Sequence, residues 1–233
     1  MIHNRKVTAL VPIKDHSERV TNKNFRDFCG KPLFHHIIRT LDRVYAVDEI
    51  IIDTDSQRVT AEAPKLSPKL RTIERPAELC GDYVSTNQIF EYDLSQTEAD
   101  IYIQTHATNP LLKAETIAKA VAKYLSLEDE YDSLFCVNRY QSRFYMQDGT
   151  PVSHDPENLI RTQDLPPLYE ENSTLYIFTK ESFAKKGRRI GSKPYMYVTP
   201  PIESMDIDDE FTFRITELLA LYAAKDDPAM LNK

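Results

Sequence analysis

Three cations crowd one short stretch of this chain. Lys14-Asp15-His16-Ser17-Glu18-Arg19 is followed by Lys23-Asn24, so Lys14, Arg19 and Lys23 fall together. Such a cluster could neutralise a triphosphate and stabilise the charge that builds on a departing pyrophosphate. The same residues also suit a solvated loop whose cations pair locally with Asp15 and Glu18. Near the other end stands Asp206-Ile207-Asp208. Strand-like alternation would put both carboxylates on one side, a way to share a hard divalent cation. Helix N-terminal charge is the competing account, because Asp208, Asp209 and Glu210 favour the positive end of a helix dipole. His106 sits at the end of a short apolar run, where a hydrogen-bonded structural role competes with a ligand role. Neither His35-His36 nor the other histidines show metal-ligand spacing with cysteine.

The elements that must position these groups follow from the hydrophobic pattern. Apolar runs at 7–12, 49–54, 101–103, 133–137 and 174–179 predict buried strands. Leu33, Ile37, Ile38, Leu41 and Val44 recur at helical spacing behind Pro32, and 114–125 predicts a second helix. A last helix over 209–222 is expected to turn Phe211, Ile215, Leu218, Leu219 and Tyr222 inward. Strand, helix, strand at this spacing is a βαβ unit in a sheet covered on both faces. In an open α/β sheet, ligands gather beyond the carboxyl ends of the strands, so the loop from Lys14 to Asn24 should overhang that crevice. Periodicity fails over residues 139–172, with Pro151, Pro156, Pro166 and Pro167, which predicts a functional or interface arm. Residues 1–233 are expected to form one domain with that arm inside it.

Composition narrows the function classes. With 29 Lys+Arg against 36 Asp+Glu the net charge is −7, which argues against a dedicated nucleic-acid binder. Hydrophobic residues make up 41%, enough for a core. No apolar stretch approaches the roughly 18 residues of a membrane span. The opening Met1-Ile2-His3-Asn4-Arg5-Lys6 lacks a signal-peptide core. Cys29, Cys80 and Cys136 lie far apart, so a reducing, cytoplasmic setting is expected. Only 5 glycines occur in 233 residues, and no GxGxxG or GxxxxGK[ST] phosphate cradle can be written. A nucleotide would have to be held by a loop built differently.

Taken in order, the motifs resemble a known family. Val11-Pro12, Ser17, Lys23-Asn24-Phe25-Arg26 and Gly30-Lys31-Pro32-Leu33 are similar to the opening signature of the acylneuraminate cytidylyltransferases, the CMP-sialic acid synthetases. The second half matches closely. In the first half Lys14 stands for an arginine, Asp15 and His16 for small residues and Glu18 for a lysine, while Arg19 falls where the related CMP-Kdo synthetases carry arginine. Arg75-Pro76-Ala77-Glu78-Leu79, Asp82 and Ser85 resemble a nucleotide-binding segment, although Ser85 is also an ordinary helix cap. His106-Ala107-Thr108-Asn109-Pro110-Leu111-Leu112 resembles a motif in which the family has a substrate-contacting glutamine where His106 stands. Arg161, Gln163, Asp164, Leu165, Pro166, Tyr169 and Asn172 resemble the stretch that faces the sugar acid and feeds a dimer arm. An arginine there suits a carboxylate through paired, planar hydrogen bonds. The lysine often found shortly before that stretch has no counterpart, which leaves Arg139 or Arg143 as replacements.

The resemblance implies an α/β, Rossmann-like nucleotide-diphospho-sugar transferase fold, with a mixed, mainly parallel sheet and a small dimerisation arm. It implies transfer of CMP from CTP to the anomeric hydroxyl of a 2-keto-3-deoxy sugar acid of the nonulosonate type, releasing pyrophosphate. Lys14, Ser17, Arg19, Lys23 and Asn24 would hold the CTP phosphates, with Lys23, Arg19 and Asp208 in the chemistry. Arg75, Asp82 and Ser85 would bind nucleotide, and His106, Arg161, Gln163, Tyr169 and Asn172 would bind the acid. Asp206 and Asp208 would hold Mg²⁺, and the partners would be CTP, a sugar acid and a second copy in a homodimer. The altered loop and missing lysine keep two alternatives open: a different acceptor, such as Kdo or a phosphonate, or a nucleotide-binding regulator without chemistry.

Overall fold

The structure, a computed structural model, describes residues 4–17, 19–81 and 83–226. The first apolar run forms β1 (Val7–Leu10), buried throughout. A short hairpin follows, β2 (Asp27–Phe28) and β3 (Lys31–Pro32), and it hands the chain to α1 (Leu33–Arg43). The hairpin turns at Cys29 and Gly30, with φ of 52° and 88°. Two consecutive left-handed residues match the twist of the flanking strands, and glycine takes one of them without a Cβ penalty.

The β-branched run Glu49-Ile50-Ile51-Ile52-Asp53-Thr54 is β4 (Glu49–Thr54), with the boundaries expected from sequence. Then come α2 (Gln57–Glu62), β5 (Leu70–Glu74), α3 (Thr86–Ser95), β6 (Ile101–Gln104) and α4 (Ala114–Leu125). The chain continues through β7 (Ser133–Tyr140), β8 (Leu168–Phe178), α5 (Lys180–Lys186), β9 (Pro194–Val198) and α6 (Glu210–Asp226).

Among the described residues the main sheet has seven strands in the order β5-β4-β1-β6-β8-β7-β9. Its pairings are parallel except those made by β8, which runs antiparallel to β6 and β7. The alternation of side chains explains why the strands are apolar on both faces. Ala9, Ile50, Ile52, Ile101 and Ile103 join α1 and α4 in one core. Leu10, Ile51 and Tyr102 join Phe90, Tyr176, Phe178 and Phe183 in the other. A third cluster joins Val20, Phe28, Leu33, Leu111, Ile207, Phe213 and Ala220. It clamps the loop after β1, the hairpin, the loop after β6 and α6 to one another.

Two expectations are corrected. The last helix does not turn its most apolar stripe inward: Phe211, Leu218 and Tyr222 are 71%, 63% and 66% exposed, and Phe213, Thr216 and Ala220 are buried instead. The phase is set by Phe213, which meets the Phe28 ring edge-on at 5.7 Å and lies under the Arg26 guanidinium at 4.2 Å. Second, the irregular segment ends at Leu168, because β8 already pairs Leu168 to Glu171 with Tyr140 to Val137. Between the Phe135–Tyr176 and Val137–Glu171 pairs the register shifts, with the extra residues on β8, where Ser173 has a φ of 56°, and this break hid the long strand from a periodicity argument.

Candidate active site

Strand order reverses beside β1, which has β4 on one side and β6 on the other. The loops after β1 and β6 therefore flank the crevice where an open sheet receives its ligand. The first loop leaves as a continuation of the strand, since the Val11 and Ile13 amides each donate at 2.9 Å to the carbonyls of Ile51 and Asp53. Beyond it no glycine occurs until Gly30, and side chains fix the path. Asn24 Nδ2 donates to the Lys14 carbonyl at 3.0 Å. The Asp15 amide donates to Asp55 at 2.7 Å, and the Ser56 hydroxyl donates to the Asp15 carboxylate. Val20 anchors the far limb in the third cluster. Lys14, Ser17, Arg19 and Lys23 consequently line one small cavity of about 80 Å³. Glu18 lies outside the described residues.

The Asp206-Ile207-Asp208 segment meets two of these cations from the other end of the chain. Lys23 Nζ donates to the Ile207 carbonyl at 2.8 Å, and Arg19 pairs with Asp208 at 2.7 Å. Ile207 is buried, and its amide donates to the Thr108 carbonyl at 3.0 Å, which ties the segment to the loop after β6. Asn109 Nδ2 adds a bond to the Met205 carbonyl at 3.3 Å. Helix capping falls to Asp209, whose carboxylate accepts from the Thr212 amide at 2.7 Å. Glu210 pairs with Arg26. The helix-terminus role expected for this acidic run thus belongs to its later members, and Asp206 stands apart from it.

Burial pushes the Asp206 carboxyl above its ordinary range, with Asp208 adding to the effect and Thr108, Lys23 and Arg19 opposing it. Its Oδ1 is buried without a hydrogen-bond partner. Lys23 is pushed below the usual lysine range, chiefly by burial, against the pull of Asp206 and Asp208. A buried, orphaned carboxylate oxygen beside a second carboxylate fits a hard cation completed by phosphate oxygens and water. Among the described residues no group of three or more His, Cys, Asp or Glu is placed to hold a metal by itself.

His106 follows β6 and faces Lys23 and Arg189. Burial, then Arg189 and Lys23, push its pKa down to about 3, so the ring is neutral. Its Nε2 lies 3.1 Å from the Gln104 side-chain nitrogen. Gln104 in turn accepts from Arg189, whose guanidinium lies 3.9 Å from the Tyr176 ring centroid. Sequence reasoning missed Arg189, because Lys185-Lys186-Gly187-Arg188-Arg189 has the look of a solvated basic run. His36 donates from Nε2 to the Phe28 carbonyl at 2.8 Å, a structural role.

The remaining predicted residues are more dispersed. Arg75 is buried in an ion pair with the fully buried Asp53, and Asp93 shares that pocket. Ser85 caps α3 in a reciprocal capping box with Gln88. Asp82 lies outside the described residues. On the arm, Arg161 is exposed and pairs with Asp164 at 2.7 Å, Gln163 is exposed, and Tyr169 projects from β8. Asn172 is buried and donates to Asn138 at 3.0 Å and to Thr199 at 2.6 Å. Of the two candidate replacements for the missing lysine, Arg139 is exposed on β7, and Arg143 donates to the Ile160 carbonyl at 2.7 Å.

A family profile described as cytidylyltransferase matches residues 8–225. The chain belongs to the cytidylyltransferase family. The match to this cytidylyltransferase takes in both the cationic loop and the Asp206-Ile207-Asp208 segment. Pseudaminic acid cytidylyltransferase of Campylobacter jejuni is 25% identical over 214 residues, covering 87% of this chain and 91% of that one. N-acylneuraminate cytidylyltransferase of Streptococcus agalactiae is 26% identical over 230 residues, covering 95% of this chain but 55% of that one. Among solved structures, CMP:2-keto-3-deoxy-manno-octonic acid synthetase complexed with CTP superposes with a TM-score of 0.67 at 14% identity, covering 94% of this chain and 99% of that one. A 4-diphosphocytidyl-2C-methyl-D-erythritol synthase gives 0.66 at 13% identity, over 93% and 99% of the two chains. These likenesses establish the fold of the cytidylyltransferase as the Rossmann-like α/β type expected from its motifs.

Proposed function

We propose that this cytidylyltransferase transfers CMP from CTP to the anomeric hydroxyl of a sialic acid-like nonulosonate, releasing pyrophosphate. The observation that carries the reading is the junction of Lys23 with Ile207, which sets the cationic loop against the paired carboxylates. Lys14, Arg19 and Lys23 face the β- and γ-phosphates and offset the charge that grows on pyrophosphate as it leaves. Ser17 orients a phosphate oxygen, and Asn24 holds the loop through the Lys14 carbonyl. Asp206 and Asp208 are the residues that would hold Mg²⁺, whose contribution when bound is charge neutralisation at the α-phosphate and a lower pKa for the hydroxyl. His106 meets the acid at the mouth of β6. The arm carries Arg161, Gln163 and Tyr169 as the surface that recognises the rest of it.

The exposed Tyr145, Met146, Leu159 and Ile160 on that arm support a homodimer in which the arm of one subunit covers its partner. Light scattering of the purified protein tests this, and a monomer at micromolar concentration would refute it. The cysteines Cys29, Cys80 and Cys136 are all free, in keeping with a cytoplasmic enzyme. No helix among the described residues is long and apolar enough to cross a membrane.

The acceptor is tested with CTP, Mg²⁺ and a panel containing N-acetylneuraminic acid, pseudaminic acid, Kdo and a phosphonate, scored by pyrophosphate release. Turnover with a nine-carbon acid supports the reading. Turnover with Kdo or the phosphonate alone supports the second reading, motivated by Asp15 and His16 in the loop and by the lysine-free arm. CTP binding without pyrophosphate from any acid would mark a regulator.

A further inference from the structure

We propose that Arg189 and Gln104 lock His106 as a neutral imidazole with its proton on Nδ1, so that it meets the acceptor acid only as a hydrogen-bond donor. The inference rests on donor and acceptor inventory. A guanidinium has donors alone, so the Gln104 atom facing Arg189 must be the amide oxygen. A peptide carbonyl only accepts, so the Gln104 atom 2.9 Å from the Thr105 oxygen must be the amide nitrogen. The two ends fix the same orientation. The NH₂ of Gln104 is also the group 3.1 Å from His106 Nε2, which must therefore accept. An accepting Nε2 has no proton, and a neutral imidazole then carries its proton on Nδ1. No described residue takes that Nδ1 hydrogen, and His106 keeps some accessible surface at the crevice.

The chain of contacts is rigid at its origin. Gln104 is fully buried at the end of β6, and the Arg189 guanidinium lies 3.9 Å from the centroid of Tyr176 and 5.1 Å from that of Phe90. Charge acts in the same direction as geometry, because the charged groups facing His106 are the cations Arg189 and Lys23, which oppose a second proton on the ring. Arg189 is thus a positioning residue: it touches the amide that sets the tautomer. The consequence for substrate class rests on the function proposed above. The group of the acid that meets His106 is an acceptor oxygen, of carboxylate or carbonyl type, and an analogue presenting an N–H there is rejected.

The test is ¹⁵N NMR of histidine-labelled full-length protein at neutral pH, read through long-range ring couplings. The expected pattern for His106 is a protonated, pyrrole-like Nδ1 and a bare, pyridine-like Nε2. In Gln104→Glu a carboxylate oxygen replaces the NH₂, and the proton should move to Nε2. Arg189→Lys keeps a donor and should retain the wild-type pattern, whereas Arg189→Met removes one of the two anchors of the amide and should shift the His106 resonances toward an average of the two tautomers. Arg189→Met should also raise KM for the acceptor about tenfold while changing KM for CTP less than about twofold. A wild-type Nε2–H tautomer overturns the proposal, as does an unchanged tautomer in folded Gln104→Glu. Should Gln104→Glu fail to fold, identical His106 resonances in wild type and Arg189→Met overturn it. The spectrum needs neither CTP nor acceptor, so the predicted tautomer without pyrophosphate release would refute the proposed reaction alone.

Discussion

Lys23 and Ile207, 184 residues apart in sequence, are joined by a 2.8 Å bond from the ammonium to the backbone carbonyl. Because the bond uses a carbonyl, the carboxylates on either side of Ile207 stay available to other partners. One ammonium can thus brace the Asp206-Ile207-Asp208 segment with one donor and keep its remaining donors for phosphate.

Lys23→Ala should therefore lower kcat by about 10²- to 10³-fold, the scale for loss of one preorganised charge-stabilising donor. KM for CTP should change much less, and the circular dichroism spectrum should be that of wild type. Steady-state kinetics with CTP and the true acceptor decide it, and wild-type turnover would remove Lys23 from the chemistry.

Arg19 reaches the cavity from solvent and shares its charge with Asp208. Arg19→Ala should raise KM for CTP about tenfold with a smaller loss of kcat, since exposed charge contributes mainly attraction. Calorimetric titration at low and high salt should show wild-type affinity falling with ionic strength and the variant falling less steeply.

Asp206 holds its proton more tightly when folded than when unfolded, because burial raises its pKa. Its carboxyl favours folding at low pH and costs stability as pH rises through the folded pKa. Without metal at neutral pH, Asp206→Asn should raise Tm by about 3 °C. The same substitution should abolish stimulation by Mg²⁺. A thermal scan with and without Mg²⁺ checks both, and a drop in Tm without metal would contradict the account.

The Asp53, Arg75 and Asp93 cluster gives a separate stability prediction. Two buried carboxyls lie near one guanidinium, which pairs with Asp53, and burial followed by the charge of Asp53 pushes the Asp93 pKa up to about 9. Folding therefore takes up a proton between the ordinary carboxylate range and pH 9, so stability should decline as pH rises across that window. Asp93→Asn should flatten the decline. Arg75→Ala leaves the buried Asp53 without its paired cation, and breaking such a buried pair costs about 3–5 kcal/mol. That corresponds to a fall in Tm of about 10 °C. An unchanged Tm with weakened CTP binding would instead assign Arg75 to the nucleotide.

Five of the seven sheet strands were legible in the sequence as apolar runs, and the Glu49–Thr54 and Ala114–Leu125 elements fall where periodicity put them, whereas the edge strands β5 and β9, with exposed residues along them, were not. The crevice followed from topology, which placed Lys14 and His106 on neighbouring loops. Helix phase in α6 did not follow, since Phe213 is fixed by Phe28 and Arg26 from distant parts of the chain. Arg189 was equally hidden, because its burial depends on Tyr176 and Phe90, neither of which is near it in sequence. Arg75 shows the converse: a motif match singled out the residue, and the fold surrounds it with carboxylates.

The glycine-free loop after β1 has an evolutionary corollary. Peptide N–H groups persist through almost any point mutation, so a cradle made of backbone is hard to retune one step at a time. Here the cavity is lined by the side chains of Lys14, Ser17, Arg19 and Lys23, and the props beneath them are Asp15, Asn24 and Ser56. Each can be altered by a single codon change while the sheet below stays intact. The arrangement exchanges mutational robustness for adjustability, and it lets nucleotide affinity drift within a lineage without rebuilding the fold.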